Sequence, residues 1–355
     1  MRHGPRRVTL LLTTPGWRGS GTSFVKIAQG LAEAGHAVQL VAGSEDVALR
    51  LAAAGLEAHL VPTGDTGRRE VGAVRALFAG QRTEVVLADA PRDVRIARYA
   101  SLGHRRAIVW RHNLHSRRLA TDLLQRWLFG GVRCVVHQSA YSVRVLAEAS
   151  PWLRRPGVVI PNGFALDELG PDAAAGAQFR ARHGMDAAIP LVVTPTSDAV
   201  EKALPVAEDA VRRLAATRNI TWAHNAAGAR RRDGSLLTIP LGVLGHGDYL
   251  DALRAADVVL LPAAGELFGN ATAEAMALGR PVVTVRGGAA PEVVGDAGLL
   301  VPPADAGAMA EAVALLLDEP ARARQLGAAA RARIGERFSL DAMWAGYDRL
   351  VRETA

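Results

Sequence analysis

The chain has 355 residues, 49% of them hydrophobic and 22% charged, with a formal net charge of +7. That length points to about two domains, and that composition excludes wholesale disorder. The one cysteine, Cys134, excludes an intrachain disulfide and a cysteine-based zinc cluster, and no apolar run reaches the roughly 18–20 residues that span a bilayer.

Strand and helix signals alternate along the chain. The basic opening resembles that of a leader, but its apolar stretch is short and runs into Pro15-Gly16 without a small-residue cleavage site. Residues 8–13 therefore read as a first buried strand, and a cytoplasmic protein is expected. A glycine-bearing loop over 16–22 follows, then an amphipathic helix over 23–34 closed by Gly35. A strand is expected at 37–42, a helix at 47–55, and further short strands at 57–62, 84–89, 107–112 and 134–139. The pattern pauses at 158–163 and passes a Gly/Ala/Asp-rich stretch, 165–177. It restarts with strands at 190–195, 220–225, 238–245, 257–262, 281–285 and 298–302. Helices fall between them at 204–217, 248–255 and 271–279. The Ala-rich stretch 304–335 reads as helical surface, and Ser339 caps a last helix over 339–352.

Repeated strand–helix–strand units of this size give parallel sheets covered on both faces. The fold class is α/β, as two Rossmann-like doubly wound domains, with ligands at the carboxyl ends of the strands and in a cleft between the halves. The expected boundaries are 1–164, 165–338 and a C-terminal helix, 339–355.

Charge divides with the domains. Residues 1–165 hold 23 Lys/Arg against 11 Asp/Glu, and residues 166–355 hold 19 against 24. Between Arg92 and Arg144 there are 11 arginines against Asp93 and Asp122 alone. A solvated arginine-rich face is the plain reading; a surface that meets an anionic partner is the functional one. Without a nucleic-acid motif in the segment, nucleic acid is not an expected partner. Lysine occurs only twice, at Lys26 and Lys202. Arg and Lys are not interchangeable at a crowded site, so at least one of these lysines is a functional candidate. Lys26 reads as a solvated helix residue and Cys134 as a small core residue.

Segment 257–294 is the most informative. A strand ends at Pro262, a loop carries Glu266, Phe268 and Gly269, and a helix starts near Asn270 and carries Glu274. A helix N-terminus after a glycine loop can hold a phosphate. Carboxylates on the loop and in the helix can accept hydrogen bonds from vicinal hydroxyls. Taken alone, each glutamate is as well explained as a surface residue. No Asp-x-Asp pair stands at a strand end, so no metal is expected.

The segment resembles the donor-binding signature of the family 4 retaining glycosyltransferases, which have the GT-B fold. The matching residues are Glu266, Phe268-Gly269, Glu274-Ala275-Met276-Ala277, Gly279, Pro281-Val282-Val283, Gly287-Gly288 and Pro291-Glu292. Pro161-Asn162-Gly163 and Gly35-His36 also fit. The resemblance implies transfer of a hexose-type sugar from a nucleotide diphosphate sugar to a hydroxyl, with retention. Glu266 would contact the donor sugar and Glu274 the ribose. Backbone at Phe268, Gly269 and Asn270 would lie against sugar and phosphates. Lys202 would bind the diphosphate, and Gly19 and Gly21 would face it from the first domain. His112 would stand by the reacting face, with His115 as its competitor. Arg111, His115, Arg117 and Arg118 fall on the acceptor side.

The sequence departs from the pattern at Ala203, where the family more often has glycine. It departs again at 195–198, where the family's phosphate-binding arginine is missing and one of Arg230, Arg231 or Arg232 is the stand-in considered. The expected partners are a nucleotide-sugar donor, a glycan or lipid-linked acceptor and a peripheral contact with an anionic membrane; no cofactor is expected. A non-catalytic nucleotide-sugar binder and a GT-B epimerase or hydrolase are the alternatives. A plain Rossmann oxidoreductase lacks its glycine fingerprint.

Overall fold

The structure, a computed structural model, describes residues 4–17, 19–61, 67–113, 119, 122–196, 199 and 202–354. The chain divides into two units: Met1–Gly163 with Leu340–Ala355, and Phe164–Ser339.

The first unit is built on β1 (Arg7–Leu12), β2 (Ala37–Ala42), β3 (Ala58–Leu60), β4 (Val85–Ala88), β5 (Ala107–Arg111), β6 (Val132–His137) and β7 (Gly157–Val159). Their order is β3-β2-β1-β4-β5-β6-β7, and each described pairing is parallel. Between the strands run α1 (Gly19–Glu33), α2 (Glu45–Ala53), α3 (Arg68–Gly80), α4 (Pro91–Ala100), α5 (Leu123–Gly130) and α6 (Ala140–Ala149). The central strands β1, β4, β5 and β6 are short runs of mostly apolar residues buried on both faces, as a helix-covered parallel sheet requires, while the edge strands β3 and β7 are largely exposed. One core layer joins Leu10, Leu40 and Val109 to α1; the other joins Leu11, Val86 and Trp110 to α3 and α4.

The second unit has α7 (Ala173–Arg182), β8 (Leu191–Thr194), α8 (Leu204–Ala215), β9 (Ile220–His224), β10 (Arg231–Asp233), β11 (Leu236–Pro240), α9 (His246–Ala255), β12 (Val258–Leu261), α10 (Asn270–Ala277), β13 (Val282–Val285), α11 (Ala290–Val294), β14 (Leu299–Val301), α12 (Ala306–Asp318) and α13 (Pro320–Arg337). Sheet order is β10-β11-β9-β8-β12-β13-β14. The β10–β11 hairpin is antiparallel and the other described pairings are parallel.

Three expectations need correction. Residues 19–22 are the first turn of α1, not loop; Gly21 is buried there, where a Cβ would come 3.0 Å from the Trp17 ring. The Ala-rich stretch is two helices, and α12 buries Met309, Val313 and Leu316 in the core. Lys26 is no solvated residue: its ammonium donates to the Gly163 carbonyl at 2.9 Å.

The last helix, α14 (Leu340–Thr354), belongs to the first unit. Met343, Tyr347, Leu350 and Val351 enter that unit's core. Trp344 donates its indole N–H to the Lys26 carbonyl at 2.7 Å and lies over Gly30, where a Cβ would stand 2.1 Å from the ring. His36 accepts from the Arg6 N–H on Nδ1 (2.9 Å), so its proton is on Nε2, facing Asp348 Oδ1 at 2.8 Å. Burial pushes the Asp348 carboxyl up, but the hydrogen bonds from His36 and Arg352 outweigh it and hold the carboxyl below its ordinary value.

Candidate functional site

In a doubly wound sheet, ligands gather where the strand order reverses. In the second unit that point lies between β8 and β12. The loop after β8 leads to Lys202, and the loop after β12 leads to Glu266. Lys202 and Glu266 meet there as an ion pair, both partly exposed. A pair this open contributes about 0–1 kcal/mol, so a charged ligand can exchange with either partner at small cost.

Each member is positioned by local geometry. Lys202 sits in a short turn, its N–H donating to the Ala199 carbonyl at 2.9 Å. Ala203 follows in the left-handed region (φ 52°, ψ 36°) and starts α8. The departure from glycine noted in the sequence thus falls on a residue whose backbone favours glycine. The Glu266 loop is seated on the turn 287–289. The Ala289 N–H donates to the Glu266 carbonyl at 2.9 Å. Gly288 (φ 60°) lies so close that a Cβ would stand 2.7 Å from that same carbonyl oxygen.

Phe268 turns inward and stacks on Phe164 at 6.1 Å, with Phe338 edge-on at 5.4 Å. Its ring is core, so only its backbone is available to a ligand. Gly269 (φ 89°) caps α10, whose first turn carries no acidic residue. The positive end of α10 is therefore left unneutralised by its own side chains. Glu274, one turn further, accepts from the Tyr249 hydroxyl at 2.9 Å. Burial, and then the Glu274 charge, push the Tyr249 phenol well above its ordinary value, so Tyr249 stays a donor. No motif pointed to Tyr249: it comes from α9, 25 positions away.

Two of the three arginines considered as phosphate binders, Arg230 and Arg231, are engaged elsewhere. Arg230 donates to the His183 and Gly184 carbonyls, both at 2.9 Å, and Arg231 pairs with Glu208. Both lie at the β10 hairpin, so that expectation is withdrawn for them. Ser197 and Asp198 fall outside the described residues.

In the first unit the order reverses between β1 and β4. Asp89 follows β4 and is buried. Arg111 pairs with it at 3.1 Å and Asn113 donates to it at 2.8 Å. Arg111 also donates to Asn162 at 2.9 Å. Burial raises the Asp89 carboxyl above its ordinary value, with Arg111 opposing. Arg111 is only 2% exposed. It is the counter-ion of a buried acid, which corrects its expected place on an open acceptor surface. A carboxylate one residue beyond a buried strand was the available signal for Asp89.

Asp93 receives the N–H groups of Thr13 and Ala90 at 3.1 and 2.8 Å, and burial pushes it up to about 6. His112 directly follows β5 and is 1% exposed. Its Nδ1 lies 2.9 Å from the Ser142 hydroxyl, and His137 Nδ1 lies 3.2 Å from the same oxygen. Burial pushes His137 down to about 4. His115, Arg117 and Arg118 lie outside the described residues. Gly19 and Gly21 open α1. Among the described residues, no group of three His, Cys, Asp or Glu side chains is placed to hold a metal ion.

Comparison with known proteins places this geometry. Residues 191–319 match the family described as glycosyl transferases group 1. Over 90 residues (24% of this chain) the sequence is 43% identical to the MMP alpha-(1->4)-mannosyltransferase of Mycolicibacterium hassiacum. Over 205 residues (52%) it is 33% identical to a D-inositol 3-phosphate glycosyltransferase of Xylanimonas cellulosilytica. These matches span 22% and 48% of those relatives' own length. Among solved structures, a glycosyltransferase from Rickettsia africae aligns over 99% of both chains with TM-score 0.82 and 14% identity. Anabaena HepE in complex with UDP-glucose aligns over 98% of this chain and 100% of its own, with TM-score 0.83 and 17% identity. The chain therefore has the GT-B fold, and over residues 191–319 it matches the family of the glycosyl transferases group 1.

Proposed function

We propose that the protein is a retaining glycosyltransferase. It moves a hexose-type sugar from a nucleotide diphosphate sugar to a hydroxyl of an anionic or membrane-associated acceptor. The observation that carries this reading is the Lys202–Glu266 pair at the β8–β12 switch point, in the same loop-and-helix unit as the unneutralised N-terminus of α10. A diphosphate needs cationic groups and free-standing dipole ends, and a sugar needs carboxylate acceptors; this site supplies both. Two relatives are named for phosphate-bearing acceptors: the Xylanimonas enzyme, and a Corynebacterium glutamicum mannosyltransferase acting on a monoacylated phosphatidylinositol monomannoside.

In this mechanism the anomeric C–O bond breaks and its electron pair leaves with the diphosphate. The acceptor oxygen bonds on the same face, and its proton passes to the departing phosphate oxygen. Lys202 and the α10 N-terminus compensate the charge that builds on the phosphate. Glu266 accepts from the sugar hydroxyls. Glu274, its second oxygen held by Tyr249, accepts from the ribose. His112, directly after β5, is the first-unit candidate for a part in this reaction. No metal is required, and the setting is cytoplasmic.

The test is turnover. UDP-, GDP- and ADP-sugars are incubated in EDTA with inositol phosphate and glycolipid acceptors, and the product linkage is read by NMR. An α-linked product from an α-linked donor supports the proposal; an inverted linkage overturns retention. Donor binding without turnover on any acceptor favours a non-catalytic binder, a reading supported by Arg230 and Arg231 being engaged away from the site. A new sugar nucleotide formed without acceptor identifies an epimerase.

A further inference from the structure

A second surface of the first unit carries a distinct chemistry. Helix α5 presents Leu123, Leu124 and Trp127 to solvent, 85%, 53% and 38% exposed. Trp127 stands four positions after Leu123 and three after Leu124, the spacings at which helix side chains are neighbours, so both leucines adjoin the tryptophan in one apolar patch. Its neighbours Leu128 and Phe129 are buried and anchor the helix in the core. Scattered exposed leucines need no explanation, but a contiguous apolar patch marks an interaction surface.

Helix α4 packs beside α5, with Tyr99 and Trp127 at 5.7 Å. It carries Arg92, Arg95 and Arg98, and its one acid, Asp93, is buried and turned to Thr13 and Ala90. Among the described residues none of these three arginines forms an ion pair. The three arginines are half-buried: Nε and Nη2 of Arg92, and Nε of Arg95 and of Arg98, are buried without a hydrogen-bond partner. The Arg98 guanidinium lies 4.5 Å from the Trp127 ring centre. Asp122, the N-cap of α5, is the exposed acid at this face and is held by the Gln125 N–H at 2.8 Å.

We propose that the α4–α5 face docks on an anionic lipid bilayer. A bilayer surface offers phosphates at the level of the guanidinium groups and hydrocarbon just beneath. A tryptophan flanked by leucines inserts at that boundary while arginines stay with the headgroups. Charge argues against a second copy: a symmetric contact would bring each set of unpaired arginines onto its like. The proposal rests on the first unit alone and does not depend on the transferase reading.

The test is flotation of the full chain with neutral phosphatidylcholine vesicles and with vesicles containing phosphatidylglycerol. Three proteins are compared: wild type, the double variant Leu123→Ser/Trp127→Ser, and Arg95→Gln/Arg98→Gln. The wild type should float with the anionic vesicles and not with the neutral ones, and about 0.5 M salt should weaken that binding. Each double variant should lose about tenfold or more in affinity, with melting temperature and nucleotide-sugar binding unchanged. Equal flotation of the variants, or no preference for anionic vesicles, overturns the proposal. Dimerisation without vesicles that the Leu123→Ser/Trp127→Ser variant abolishes overturns it too, by assigning the face to a second copy.

Discussion

Ala203 shows how one backbone position constrains a binding residue. It holds the left-handed conformation directly after Lys202, where a β-carbon costs about 1–2 kcal/mol. Ala203→Gly should therefore raise the unfolding free energy, by no more than about 1 kcal/mol because glycine also loosens the unfolded chain. Denaturant titration measures this, and a loss of stability would contradict the geometry. Tyr249→Phe removes the donor to Glu274 and should weaken nucleotide-sugar binding about three- to tenfold, the net worth of roughly one ordinary hydrogen bond. The buried His137 titrates near 4 when folded and near 6.5 when unfolded. Its contribution is therefore fully present above pH 6.5 and is lost as pH falls toward 4. The unfolding free energy of wild type relative to His137→Asn should drop across that window by on the order of 3 kcal/mol. The loop position of Glu266 and the helix position of Glu274 were legible through the resemblance of segment 257–294 to a known family's signature, since their spacing alone says little. Tyr249 was not, because its partner is set by the packing of α9 on α10. Arg111 was misplaced because residue type reports charge and says nothing of burial.

At the scale of elements, periodicity located the buried strands well, since each is a short apolar run ending in a turn signal. The start of α1 was missed because Gly19-Ser20-Gly21-Thr22 has the composition of a loop; in the structure these residues are its first turn, with Gly21 close against the Trp17 ring. The β10–β11 hairpin was also missed, although Asp233-Gly234 is a hairpin signal and Gly234 does adopt a positive φ of 55°. α14 owes its place to close contact with α1. Gly30→Ala puts a methyl into the Trp344 ring and should cost about 1–3 kcal/mol as overpacking. Hydrogen exchange in Leu340–Thr354 should rise, with that in α10 unchanged; protection of α14 equal to wild type would contradict this packing.

For the whole molecule, charge and architecture divide together. With its returning helix, the first unit holds 25 Lys/Arg against 14 Asp/Glu, and the second holds 17 against 21. Among the described residues no helix is long and apolar enough to cross a membrane. Two doubly wound α/β units were legible because strand and helix signals alternate along the chain; the GT-B fold was legible only through the resemblance of segment 257–294 to a known family's signature. Acceptor identity was not, because shape and charge of a surface follow from packing that no motif encodes. The central claim is that the β8–β12 switch point of the second unit binds a nucleotide-sugar diphosphate. Calorimetric titration of UDP-, GDP- and ADP-sugars in EDTA, on wild type, Lys202→Ala and Glu274→Ala, tests it most directly. The account predicts that one donor binds the wild type and that each variant weakens it about tenfold or more, the loss of a charged hydrogen-bonding group. Unchanged affinity in both variants, or no binding of any donor, would contradict it.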